Sequence, residues 1–183
     1  MRRLYIGFAG LMALSVLAGC HSKQQQSFTD DDKLPTQVAG ASDRDIMKMQ
    51  EKITKQGVRI ITAGQNYLIS IPSPMLFADQ SPHINWEAYG LLNNIACYLQ
   101  QFRKISINVN AFSSKYVSER REHALTSARA RAVAEYLWSQ GIESRFIFTQ
   151  GLGSDKPIVA FTQYGDAAPN SRVEITFRHA VVN

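Results

Sequence analysis

Lys104–Val133 reads KISINVNAFSSKYVSERREHALTSARARAV, and its reading decides the fold. Ile105, Ile107 and Val109 alternate with Ser106, Asn108 and Asn110, the period of two that a half-buried strand shows. A polar loop, Phe112–Val117, leads to Ser118, which offers an N-cap for a long helix. On that helix Leu125, Ala128, Ala132 and Tyr136 share a face, Arg129 lies on the inner flank, and Gly141 supplies a stop. Arg145–Thr149 then reads as a second strand, with Phe146 and Phe148 on one face. A strand–helix–strand unit places any binding function where the first strand ends and the helix begins.

Working outward toward the N-terminus, Asn85 opens a helix whose Ala88, Leu92, Ile95, Ala96 and Leu99 form one apolar stripe. Trp86, Tyr89 and Phe102 flank it and are explained by core packing. Before it, Val58–Ala63 and Tyr67–Ile71 read as strands joined by a Gly64-Gln65-Asn66 turn. Ahead of these, Ser42 and Asp45 form a weak capping box for a helix carrying Ile46, Met49 and Ile53. Toward the C-terminus, Gly151-Leu152-Gly153-Ser154 is a turn, residues 158–170 read as a loop, and Arg172–Arg178 is a last strand with Val173, Ile175 and Phe177 inward. The order predicts an α+β fold, an α/β sandwich in which helices cover one face of a small mixed sheet.

The first 19 residues are of another kind. Arg2 and Arg3 precede an apolar run from Leu4 to Leu17, too short for a bilayer span of about 20 residues. Leu17-Ala18-Gly19-Cys20 resembles the bacterial lipobox, whose cysteine is lipidated and becomes residue one. His21 follows it where an aspartate would favour inner-membrane retention, so the resemblance implies an outer-membrane anchor facing the periplasm. Residues 21–41, with Gln24-Gln25-Gln26 and Asp30-Asp31-Asp32, are too polar to build a core. The division predicted is a signal peptide over 1–19, a lipid-anchored flexible tether over 20–41 and a folded domain over 42–183.

The chain has 183 residues and a formal charge of +5, which falls to +3 once Arg2 and Arg3 are removed. That balance is too mild to argue for nucleic acid. Phe146, Phe148 and the arginines near them form at most a faint stacking platform, and an export signal argues against nucleic acid as partner. His123 lies near Glu119 and Glu122, yet no nucleophile accompanies it and no metal-ligand spacing is visible among the four histidines. The chain is therefore read as non-enzymatic, without cofactor or metal. Of the two cysteines, Cys97 falls in an apolar helical pattern and is expected as a buried free thiol.

From about Tyr67 to Arg178 the chain resembles the OmpA-like, peptidoglycan-associated domain. Leu76-Phe77-Ala78-Asp79-Gln80-Ser81 is similar to that family's Leu-Phe segment before its first long helix. Leu125-Thr126-Ser127-Ala128-Arg129-Ala130-Arg131-Ala132-Val133 matches its Leu-Ser-x-x-Arg-Ala-x-x-Val helix without a gap. Gly151-Leu152-Gly153, Pro157 and Asn170-Ser171-Arg172-Val173-Glu174-Ile175 match its closing motifs. The resemblance implies that a loop aspartate and the helix arginine hold the two ends of a diaminopimelate residue of the peptidoglycan stem peptide.

Arg129 stands at the arginine position; its plain alternative is an ordinary surface or ion-paired arginine. Ser114 stands where the aspartate belongs, Glu122 near a common asparagine, and Ser171 at the first arginine of the late pair. Losing the charged partner predicts weak or absent peptidoglycan binding at a degenerate site of Ser114, Glu122, Arg129, Asn170 and Arg172. Segments 64–71, 113–118 and 150–157 resemble more closely the OmpA-like lipoprotein of the Dot/Icm type IVB secretion system. That resemblance implies a structural part in an outer-membrane core complex, with other secretion lipoproteins and core proteins as partners.

Overall fold

A computed structural model describes residues 42–115, 118–142, 146–159 and 169–180. The proposed signal peptide, the tether and Cys20 lie outside the described residues, as does Arg145. Helix α1 is Asp43–Lys55, capped as expected: Ser42 Oγ accepts the Asp45 N–H at 3.2 Å and donates to the Asp45 carboxylate at 2.7 Å. Strands β1 (Arg59–Ala63) and β2 (Asn66–Pro72) pair antiparallel, with Ala63 opposite Asn66. The turn is therefore the two residues Gly64-Gln65, and Gly64 takes φ +60°, which a two-residue hairpin requires and only glycine adopts freely. Helix α2 is Ala88–Gln100, β3 Lys104–Phe112, α3 Glu119–Ser139, β4 Ile147–Gly151 and β5 Arg172–His179.

The five strands form one sheet in the order β1-β2-β5-β3-β4, antiparallel except where β3 and β4 run parallel. The fold is the mixed α+β arrangement expected. Ile69, Ile71, Ile107, Val109, Val173, Ile175 and Phe177 lie on one face and are buried, while the alternate positions Asn108 and Arg178 are exposed. Opposed pairs such as Val109–Ile175 and Ile71–Val173 set this register, because a slip of one residue would turn every apolar side chain outward. The α2 stripe (Ala88, Leu92, Ile95, Ala96, Leu99) is buried on this core, as its periodicity predicted.

Several local expectations are corrected. Ile105 is 72% exposed, because the β3–β5 register shifts between Lys104 and Ile107 and breaks the alternation at the strand's start. The buried face of α3 is Glu122, Thr126, Arg129, Ala130, Val133, Ala134 and Leu137; Leu125, Ala128, Ala132 and Tyr136 lie at its margin. The apolar residues alone mislead there, since Glu122, Thr126 and Arg129 of the inward face are polar. Helix α2 begins at Ala88, and Asn85 receives the Ala88 N–H on its backbone carbonyl rather than by its side chain. Ser118 likewise makes no side-chain cap bond and accepts the Glu122 N–H on its carbonyl. Trp86 (79% exposed) and Tyr89 stand in solvent, so core packing explains only Phe102 of that trio. Cys97 is half-buried and disulfide-bonded rather than a free thiol.

Candidate stem-peptide site

At the C-terminal end of β3 the chain passes beneath the loop that follows β4. Leu152 N donates to Ala111 O at 2.9 Å and Ser113 N to Gly153 O at 2.8 Å, which carries the strand pairing beyond the sheet. The N-terminal half of α3 rests on the same loop. Thr126 Oγ1 accepts the Gly153 N–H at 3.1 Å, and Glu122 Oε2 accepts the Ser154 hydroxyl at 2.7 Å. Gly151 permits this contact, because a Cβ there would collide with the Ser127 backbone and side chain. The inward polar residues of α3 are thus the helix's means of gripping a loop.

Ser114 and Ser171 meet at the centre. Ser171 Oγ accepts the Ser114 N–H at 2.9 Å and donates to Ser114 Oγ at 3.2 Å, and both residues are within 1% of complete burial. Ser73 N donates to Ser171 O at 3.0 Å, tying in the segment that follows β2. The hydroxyls of Ser73 and Ser113 are buried without a hydrogen-bond partner.

Arg129 is fully buried, at 0% exposure. Its Nε donates to Ser81 O at 2.9 Å and its Nη2 to Ala78 O at 3.3 Å, with the guanidinium 4.9 Å from the Phe77 ring centroid. These two carbonyls bound a tight turn, Ala78–Ser81, closed by the Ser81 N–H on Ala78 O at 3.1 Å. Within it Gln80 has φ +52°, the single positive value at a non-glycine among the described residues. A left-handed residue of this kind costs about 1–2 kcal/mol, and the arginine holds the turn that contains it. Arg129 is thus neither a surface arginine nor, in this conformation, a guanidinium facing solvent.

Asn170 and Arg172 are equally engaged. Asn170 Oδ1 accepts the Ile158 and Val159 N–H groups at 2.8 and 3.0 Å, and its Nδ2 donates to Val159 O at 3.1 Å. Arg172 donates from Nε to Glu174 at 2.7 Å, from Nη1 to Asn170 O at 3.0 Å and from Nη2 to Lys156 O at 3.2 Å, with its guanidinium 3.9 Å above Phe112. The five residues singled out from the sequence converge on one end of the sheet, and every one is buried. Sequence reasoning did not find the turn Ala78–Ser81 as Arg129's partner, since backbone carbonyls leave no residue signature. It also passed over Asp155, which the loop brings beside His123 of α3: Nε2 and Oδ2 are 3.6 Å apart.

The OmpA family model matches residues 76–171, from the Leu-Phe segment to the Ser171 of the central pair. "Probable lipoprotein YiaD" of Escherichia coli is 30% identical over 129 residues, covering 70% of this chain; the chain spans only 59% of that relative's length. "Peptidoglycan-associated lipoprotein" of Mesorhizobium japonicum is 23% identical over 170 residues, covering 93% of this chain and 90% of its own. Among solved structures, the cell wall anchor of the T6SS from Pseudomonas aeruginosa superposes with a TM-score of 0.64 at 26% identity, covering 74% of this chain and 97% of that one. With more than half its length matched, and with the strand order and buried arginine helix described above, the chain belongs to the OmpA family.

Proposed function

We propose that this protein is an outer-membrane lipoprotein, anchored through Cys20, whose OmpA-family domain serves as a structural docking module with a closed stem-peptide site. The observation that carries the reading is Arg129: its Nε and Nη2 are spent on Ser81 and Ala78 carbonyls and none of its surface is exposed. Ser114, where the motif has the ammonium-binding aspartate, is uncharged and turned toward Ser171. A zwitterionic diaminopimelate end finds an uncharged serine where the motif has its aspartate, and a guanidinium with no exposed surface. Diacyl anchoring fits the relatives named as lipoproteins, and two or more acyl chains give stable membrane attachment.

The partner class follows from the segments at 64–71, 113–118 and 150–157, which resemble DotK (IcmN) of the Dot/Icm type IVB secretion system. The likeness to a T6SS cell wall anchor supports a place beside a secretion machine in general. A second reading, a working tether between outer membrane and peptidoglycan, is favoured by the retained arginine and by the name of the Mesorhizobium relative.

Membranes solubilised from cells carrying wild type or Cys20→Ser test the proposal. Wild type is expected in the outer-membrane fraction, co-purifying with secretion lipoproteins, and Cys20→Ser in the soluble periplasm. Equal membrane retention of both would overturn the anchor. Non-reducing mass spectrometry of the same samples reads the state of the Cys97 disulfide once Cys20 is lipidated.

A further inference from the structure

We propose that Glu119, His123 and Asp155 form a binding site for a borderline divalent cation of the zinc type, cross-linking the start of α3 to the loop after β4. One ligand atom from each of the three lies within 4.8 Å of the others. Glu119 and His123 stand four residues apart in the first turns of α3 and so project from the same side of the helix. Asp155 comes from a tight turn fixed by its own N–H on Leu152 O at 3.1 Å. One imidazole nitrogen and two carboxylates are a donor set that suits zinc, with a position left for water.

The histidine is the observation that points to a ligand. Its Nδ1 is 3.2 Å from Gly151 O, and only an N–H can approach a carbonyl oxygen so closely in a favourable way. A proton on Nδ1 leaves Nε2 of the neutral ring as the nitrogen with a lone pair, and Asp155 Oδ2 lies 3.6 Å from it. A lone pair facing a carboxylate is repulsive, and either a cation between the two or a second proton on the ring relieves it. A backbone carbonyl on one nitrogen, freeing the other for a metal, is the outer-shell arrangement that metal-bound histidines use.

The ring is also held in place. A Cβ on Gly153 would lie 3.3 Å from His123 Cδ2 and Nε2, so the imidazole packs flat on the loop backbone at this glycine. The loop is pinned to α3 by the Thr126–Gly153 and Glu122–Ser154 bonds. All three ligands thus sit on mutually fixed elements. The Asp155 side chain is half-exposed and free to contract onto an ion. This site is independent of the stem-peptide reading, since it uses none of those residues as ligands.

Calorimetric titration of the detergent-solubilised full-length protein with zinc chloride tests the proposal. Wild type is expected to bind one zinc ion, and His123→Ala and Asp155→Asn each to weaken that binding by about tenfold or more. His83→Ala and His179→Ala are expected to leave it unchanged. Asp155→Asn replaces a half-exposed side chain, so it remains interpretable if His123→Ala does not fold. Absence of zinc binding in wild type, or a loss smaller than tenfold in Asp155→Asn, would overturn the assignment in favour of a simple imidazolium–carboxylate contact.

Discussion

Ser171 donates its hydroxyl to Ser114 across 3.2 Å, joining two residues 57 positions apart that the resemblance sets at the positions of a charged pair. The motif has an aspartate at the first position and an arginine at the second. On the reading proposed above, the two serines act as one unit: a pair of hydroxyls that satisfy each other stands where the motif has an ionic arrangement. Ser114→Asp alone buries a carboxylate beside a hydroxyl and should cost about 1–3 kcal/mol. Ser171→Arg alone should cost a similar amount by overpacking. The double variant Ser114→Asp/Ser171→Arg should recover at least about 1 kcal/mol of the sum, measured by urea unfolding as a double-mutant cycle.

Arg129 is expected to act on stability rather than on affinity. Arg129→Met removes two donors and leaves the Ala78 and Ser81 carbonyls under a buried helix, which should cost about 3–5 kcal/mol. Arg129→Lys should recover little, because one ammonium does not reproduce the two divergent donors. Hydrogen exchange should show the loss first at the Ala78–Ser81 turn.

Three glycines separate packing from conformation. Gly151→Ala forces a methyl into the Ser127 backbone and should cost about 1–3 kcal/mol. Gly64→Ala meets no neighbour but must hold φ +60°, a penalty of about 1 kcal/mol. Gly90, within α2 and with open space at its Cβ, should gain roughly 0.5–1 kcal/mol on change to alanine. Thermal unfolding of the three variants checks both the signs and the order.

Lys104 gives the domain an alkaline pH dependence. Burial depresses its ammonium from 10.5 to about 8, although Nζ donates to the carbonyls of Leu99 at 2.8 Å and Phe102 at 3.3 Å, at and just beyond the end of α2. Between about pH 8 and 10.5 the unfolded chain holds this proton and the folded chain does not, so stability rises with pH across that window. Wild-type stability minus that of Lys104→Met should therefore increase from pH 8 to 10.5 and be flat below. A difference that falls through that window would contradict the burial argument.

The sequence carried the sheet and its helices because the period-two runs at Ile107–Val109 and Val173–Phe177 and the α2 stripe each answer to one dominant force, burial. Ile105 broke that pattern because a register shift is a property of two strands and is invisible in one. The inward face of α3 was misread by one residue per turn because Glu122, Thr126 and Arg129 are buried through hydrogen bonds to a loop, which apolar counting cannot register. The site was half legible: the motif located Arg129 and Ser114. That the arginine points at carbonyls and that Ser114 belongs with Ser171 are matters of three-dimensional pairing. Asp155 was hidden for the same reason, 32 positions from the histidine it faces.

The account's central claim is that the family's ligand site is closed by the chain's own groups. Co-sedimentation of the full-length, detergent-solubilised protein with purified peptidoglycan sacculi, with and without free diaminopimelate, tests it most directly. The account predicts retention near background that diaminopimelate does not alter. Robust retention displaced by diaminopimelate, and lost in Arg129→Lys while that variant remains folded, would contradict it.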